Sequence, residues 1–248
     1  MSAKIIRAGL AALATATVLL SGCGDAGGTR PNGATTSSPA PVDNGMAALT
    51  AEEILAKSIS ALAGAGSYRV TGTNLAAGDD GETMTLDVTV TGGDLTGRLT
   101  LGQGADIALL AVGGAKYVKP DPAAWARLTD AGKTRTTTTP ADGRWIPATR
   151  QNDLDDLFTL VDVTEPLKPG GIIVKGRTAQ VDGTPAITLI DPGADAHLAV
   201  AATGEPYPLR LFSVSGDGDV SFSDFGATFD PIIAPAANEI ADPAPAGR

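Results

Sequence analysis

The chain has 248 residues, with 18 basic against 28 acidic side chains, one histidine and one cysteine. A net charge of −10 at pH 7 excludes the basic surface that a nucleic-acid partner requires, and a single Cys with a single His leaves no ligand set for a Cys/His zinc site. Aromatic residues are 4% of the chain, so the core must be built from small and aliphatic side chains that carry little buried area each.

The N-terminus carries Lys4 and Arg7 and no acid, then runs apolar from Ala8 to Leu20. This is the charged start and apolar core of an export signal, and it is shorter than the roughly 20 residues of a membrane-spanning helix. It ends in Leu20-Ser21-Gly22-Cys23, which resembles the bacterial lipobox. The resemblance implies cleavage before Cys23, a diacylglyceryl group on its sulfur and acylation of the freed amine. An ordinary signal peptide with an incidental cysteine is the alternative. Against it, exported proteins use cysteines in pairs, and a solitary one calls for a separate explanation. Two or three acyl chains also suffice for stable anchoring, at about 0.8 kcal/mol per buried CH₂.

Residues 1–22 are therefore expected to be a signal peptide, and residues 23–49 the lipidated end and a tether. From Asp25 to Leu49 the chain is Gly, Pro, Ser, Thr and Ala with almost no bulky apolar residue, a composition that does not order itself. Residues 241–248 have the same character and are expected to form a disordered tail. The expected placement is the outer face of the plasma membrane.

The segment 50–240 reads as one α+β domain. Thr50 and Glu53 form a capping box, and Ile54, Leu55, Ile59 and Leu62 mark one side of a helix ending near Gly64 or Gly66. The period then falls to two. Met84, Leu86, Val88 and Val90 alternate with polar residues, and after a turn at Gly92-Gly93-Asp94 so do Leu95, Leu99 and Leu101. Ile107 to Val112, with Tyr117 and Val118, extends the meander. Asn152 caps a second short helix with the stripe Leu154, Leu157, Phe158 and Val161. Five further strands are predicted over 172–181, 186–190, 197–202, 207–214 and 220–225, separated by Gly, Pro and Asp turns. The expected architecture is a curled antiparallel half-barrel of about eight strands, its single apolar face covered by short helices. Two short helices do not seal so wide a sheet, and an apolar groove follows. Strand phase assigns its wall to Met84, Leu86, Val88, Val90, Leu99, Leu101 and Leu109, with Leu154, Leu157 and Phe158 from the cover.

The helix from Ala51 to Leu62 leading into Ser67–Val70, the strand Lys116–Lys119 followed by a tryptophan, and the closing Val220–Gly226 with Ala234-Pro235 are similar to the LppX/LprA/LprF/LprG lipoproteins of actinobacterial envelopes. The resemblance covers roughly residues 50 to 240. It implies a fold shared with carriers of the LolA type and an acylated lipid as ligand; the Thr-rich run 133–139 departs from the family pattern.

Catalytic chemistry finds little to build on. His197 alternates with Leu198 and Val200 on a predicted strand, and no Gly-x-Ser-x-Gly elbow accompanies it. Asp79-Asp80 and Asp217-Gly218-Asp219 lack the spacing of a calcium loop. No catalytic residue, metal or cofactor is expected. Residues 116–150 hold seven basic against three acidic residues. This segment is read as a mobile lid meeting an anionic membrane through Lys133, Arg135 and Arg144, with its two tryptophans at the interface. The leading expectation is a monomeric, non-enzymatic lipoprotein that binds and carries or presents lipid. A solid-cored interaction or sensor module is the alternative, and a carboxylate-based wall hydrolase ranks below both.

Overall fold

The computed structural model describes residues 42–76, 82–102, 104–130, 143–149, 154–162, 164, 167–168, 171–216 and 218–241, all within the second of the chain's two units, residues 40–248. Cys23, Asp79, Asp80, Lys133, Arg135, Asn152 and Asp217 lie outside the described residues.

The capping box forms as the sequence predicts. The Thr50 hydroxyl accepts from the Glu53 N–H at 3.3 Å, and the Glu53 carboxylate accepts from the Thr50 N–H at 2.9 Å, which starts α1 at Ala51; it runs to Gly64. Ala51, Ile54, Leu55, Ser58 and Leu62 are its buried residues, whereas Ile59 is on the exposed side. Ser58 is completely buried and its hydroxyl has no partner. An unsatisfied buried hydroxyl costs about 1–3 kcal/mol. Ser58→Ala is therefore expected to stabilise the protein by about 1 kcal/mol, raising Tm by about 2–4 °C in a thermal melt. A lower Tm would show that the hydroxyl is satisfied.

The strands are β1 (Ser67–Ala76), β2 (Thr83–Thr91), β3 (Asp94–Leu101), β4 (Ala105–Val112), β5 (Ala115–Pro120), β6 (Ile146–Pro147), β7 (Val174–Val181), β8 (Thr184–Asp191), β9 (Ala196–Ala201), β10 (Pro208–Ser213) and β11 (Asp219–Ser223). They form one open antiparallel sheet in the order β6-β5-β4-β3-β2-β1-β11-β10-β9-β8-β7. Two meanders, β1 to β6 and β7 to β11, join where β1 pairs with β11, so the first strand lies at the centre. The sheet has eleven strands rather than about eight; β1 and β6 are additional to those legible as alternation. Three hairpins close through two residues, Gly92-Gly93, Gly113-Gly114 and Asp182-Gly183, all with positive φ, the backbone of a type I′ turn that matches strand twist.

Register aligns the inward side chains into rows across the sheet. One row runs Ile146, Val118, Leu109, Gly97, Val88, Val70, Phe222. The next runs Ile107, Leu99, Leu86, Gly72, Val220, Leu211, Leu198, Leu189. The opposite face is polar, with ion pairs Arg69–Asp87, Arg98–Asp106 and Arg210–Asp219. These are exposed and contribute about 0–1 kcal/mol each. The Thr100 hydroxyl, with Arg98 beside it, holds the Asp106 carboxyl below its ordinary value.

The two halves of the apolar face are covered differently. The β1–β6 half carries α2 (Pro122–Asp130), which packs on β4 and β5, and a 3-10 turn over Leu154–Phe158, tied to β5 by Lys116–Asp155 at 2.8 Å. The other half carries α1, which packs on β9 and β10. Helix α2 corrects the reading of residues 116–150 as a mobile lid for the part from Pro122 to Asp130. Its start follows from Asp121, whose carboxylate accepts from the Ala124 N–H at 2.6 Å, and from Pro122 in the first helical position. Trp125, assigned to a membrane interface, is 6% exposed and belongs to the core with Ala124 and Leu128.

Both chain ends of the described domain dock on it. Residues 43–49, assigned by composition to the tether, are held by an Asp43–Thr203 bridge, by the Asn44 amide donating to the Ala201 and Gly204 carbonyls, and by buried Met46. Lys175 of edge strand β7 donates to the carbonyls of Ala47 and Leu49. At the opposite edge, beside β6, the Trp145 N–H donates to the Glu239 carbonyl and the Ala241 N–H to the Trp145 carbonyl, both at 2.7 Å. The pairing at Trp145 covers the edge beside β6 and blocks pairing with other chains there.

Candidate functional site

The apolar half of the sheet under α1 is not filled. Leu189, Leu198 and Leu211 stand side by side on β8, β9 and β10, Leu55 of α1 faces them, and Leu167 and Ile173 come from the crossover into β7. Together they enclose a cavity of about 350 Å³. At one end the lining changes to Asp191, Ala194, Ala196 and Lys168. Asp191 is nearly buried and pairs with Ala196 across the strands; its carboxylate also accepts from the Gly193 N–H at 3.0 Å, which shapes the β8–β9 turn. Small residues at 194 and 196 leave room that larger ones would fill. The mouth therefore has a charged side at Asp191 and Lys168.

The residues assigned by strand phase to the groove wall occupy a different place. Met84, Leu86, Val88, Leu99, Leu101 and Leu109 are buried under the cover of the β1–β6 half, as are Leu154, Leu157 and Phe158. A side chain facing a water-sized void keeps accessible area on that side, yet Leu99, Leu109 and Leu154 have none and Val88 has 1%. They are in mutual contact as a packed core. Val90, near the hairpin end of β2, is only partly buried. The cavity residues missed by sequence reasoning follow the same inward phase on β8 to β10; alternation marks the inward face, but not which part of that face lacks a filling cover. Arg144 is exposed beside β6, at the sheet edge opposite β7 in strand order.

Other sites offer less. His197 packs its ring 5.4 Å from that of Phe212. The Ser213 hydroxyl donates to the Asp195 carboxylate at 2.7 Å, which together with Ser215 holds that carboxyl below its ordinary value. Serine and acid are thus joined directly rather than through an imidazole, unlike a catalytic triad. No group of metal-ligating side chains occurs among the described residues, and no described helix is long and apolar enough to cross a membrane. A wider groove of about 630 Å³ beside α1 mixes polar Asn44, Lys57, Ser60 and Glu205 with Met46, Ala61, Pro206 and Tyr207.

No protein-family model matches the chain, and no curated protein matches it. In structure it is similar to LprF from Mycobacterium bovis, at 15% identity over 75% of this chain and 97% of that one, with a TM-score of 0.46. It is also similar to lipoprotein LppX from Mycobacterium tuberculosis, at 19% identity over 69% and 93%, with a TM-score of 0.43. The MucA/MucB complex from Pseudomonas aeruginosa is a further neighbour, at 17% identity over 76% and 59%, with a TM-score of 0.34.

Proposed function

We propose that the protein is a non-catalytic, membrane-anchored lipoprotein that binds an acyl chain in the cavity beneath β8, β9 and β10 and carries or presents it at the outer face of the plasma membrane. The observation that carries this reading is the cavity itself. It is walled by leucines and isoleucine from five separate segments, and its volume of about 350 Å³ lies within the range of about 300–1,000 Å³ typical of small-molecule sites. Burial of hydrocarbon there supplies affinity at about 25 cal/mol per Å² without any reacting group. The putting-down of the chain at a membrane surface is the part assigned to Cys23 and the tether.

Native mass spectrometry of the protein extracted under mild conditions tests the reading. The expected spectrum contains an adduct of lipid mass that organic extraction removes and added fatty acid restores. The packed β1–β6 half favours one competing reading, an interaction module with a solid core throughout. That reading predicts no adduct and no uptake.

A further inference from the structure

We propose that the groove between α1 and the β9–β10 loop is a binding site for a neutral saccharide, separate from the acyl cavity and independent of the acyl-binding reading. Its walls are Asn44 with Met46, the flank of α1 that carries Lys57 and Ser60, and the loop from Gly204 to Tyr207. Leu55, on the same helix, lines the acyl cavity instead, and that cavity's Ala194 and Ala196 lie at the opposite end of β9 from Gly204.

The groove is built without a ligand. The Asn44 amide donates to the Ala201 and Gly204 carbonyls at 3.0 and 3.1 Å, and its oxygen accepts from the Met46 N–H at 3.2 Å. Tyr207 is held by backbone and ring. Its N–H donates to the Glu205 carbonyl at 2.8 Å, its carbonyl accepts from the Ala201 N–H at 2.9 Å, and its ring lies flat on Phe225, with centroids 4.0 Å apart and planes 6° apart. A ring so fixed receives a ligand with little loss of side-chain freedom.

Phe225 covers one face of the Tyr207 ring, and the ring lines the groove with the rest. The electron-rich face of an aromatic ring attracts C–H groups made positive by neighbouring oxygens, as on the apolar side of a pyranose. The tips beside it suit hydroxyls. Lys57 offers donors, Glu205 acceptors and Ser60 both, and none of these three side chains has a hydrogen-bond or ion-pair partner among the described residues. One cation and one anion line the groove, which favours neither an anionic nor a cationic ligand, while charge-assisted hydrogen bonds to a neutral polyol are strong ones. A polyproline peptide docks along a row of aromatic rings; this lining holds one.

Saturation-transfer-difference NMR on the full chain in mild detergent, with maltotriose, mannotriose and triacetylchitotriose as probes, tests the assignment. At least one trisaccharide is expected to take up saturation, most strongly at the ring protons of a pyranose's apolar side, and Tyr207→Ala is expected to weaken its binding about tenfold or more. Should loss of the Phe225 stack lower Tm, Lys57→Ala and Glu205→Ala carry the test: each removes a side chain with no partner in the fold, and each is expected to weaken binding about threefold or more at unchanged Tm. Saturation of none of the three sugars overturns the saccharide assignment, as does saturation of a decaproline peptide in their place. Undiminished binding in both charge variants overturns the placement in this groove.

Discussion

Gly97→Val is expected to destabilise the domain by about 3 kcal/mol or more. Gly97 lies in the interior of β3, between Val88 on β2 and Leu109 on β4. A Cβ built there would sit 2.4 Å from the Asp87 carbonyl oxygen and 2.6 Å from the Val88 Cα. Those atoms are backbone, so relief requires β2 and β3 to part rather than a rotamer to turn. Overpacking of a core costs typically 1–3 kcal/mol, and a backbone clash belongs at the top of that range, at about 3 kcal/mol or more. For a domain of this size the loss corresponds to a fall in Tm of roughly 6–12 °C. Gly64→Ala is the control: nothing lies within 4 Å of its added Cβ, and the change is expected to be neutral or slightly stabilising by helix propensity. A Gly97→Val protein that melts with the parent would mean that β2 and β3 do not meet in this register.

Cys23→Ala is expected to abolish lipid attachment and leave the protein either uncleaved or free in the medium. The lone cysteine after Leu20-Ser21-Gly22 is the only thiol in the chain, so no second site can substitute. Each acyl chain contributes about 0.8 kcal/mol per buried CH₂, and losing two or three of them changes membrane partition from effectively complete to negligible. Metabolic labelling with a fatty-acid analogue, followed by fractionation, reads both consequences. Label on the Cys23→Ala protein would defeat the lipoprotein reading; an unlabelled parent would do the same.

Much of the fold was legible because it is local. The capping box at Thr50 and Glu53 places the start of α1 to the residue, and the Gly-Gly and Asp-Gly pairs place three hairpins, since each depends on contacts within a few residues. Strand β1 was less legible because Gly72 and Asn74 interrupt its alternation, and its position at the centre comes from partners on both sides, β2 and β11. The start of α2 was written in Asp121-Pro122, a cap followed by a proline in the first turn. Reading residues 116–150 as a mobile lid passed over that signal. Trp125 then followed its helix into the core, where burial of a large ring outweighs its preference for an interface.

The candidate site shows the same division more sharply. Strand phase correctly separates inward from outward residues, so Met84, Leu86, Val88 and Leu99 could be assigned to the apolar face from sequence alone. Whether an inward residue meets a void or a neighbour depends on what lies above it, and that is a property of distant segments. Over β2 to β5 the crossover supplies Leu154, Leu157 and Phe158, and α2 supplies Trp125 and Leu128; together they fill the space. Over β8 to β10 the described residues Leu55, Leu167 and Ile173 leave a cavity.

Composition, period and turn chemistry by themselves determined the class of fold and the antiparallel pairing of neighbours. Each is encoded by residues close together in the chain. The joining of the two meanders at β1 and β11, the solid packing of one half and the cavity in the other were decided only in the tertiary structure. They depend on the fit between surfaces far apart in the chain, as when Leu55 of α1 lines one cavity with Leu198 and Leu211, and shape complementarity over such separations leaves no periodic mark on the sequence.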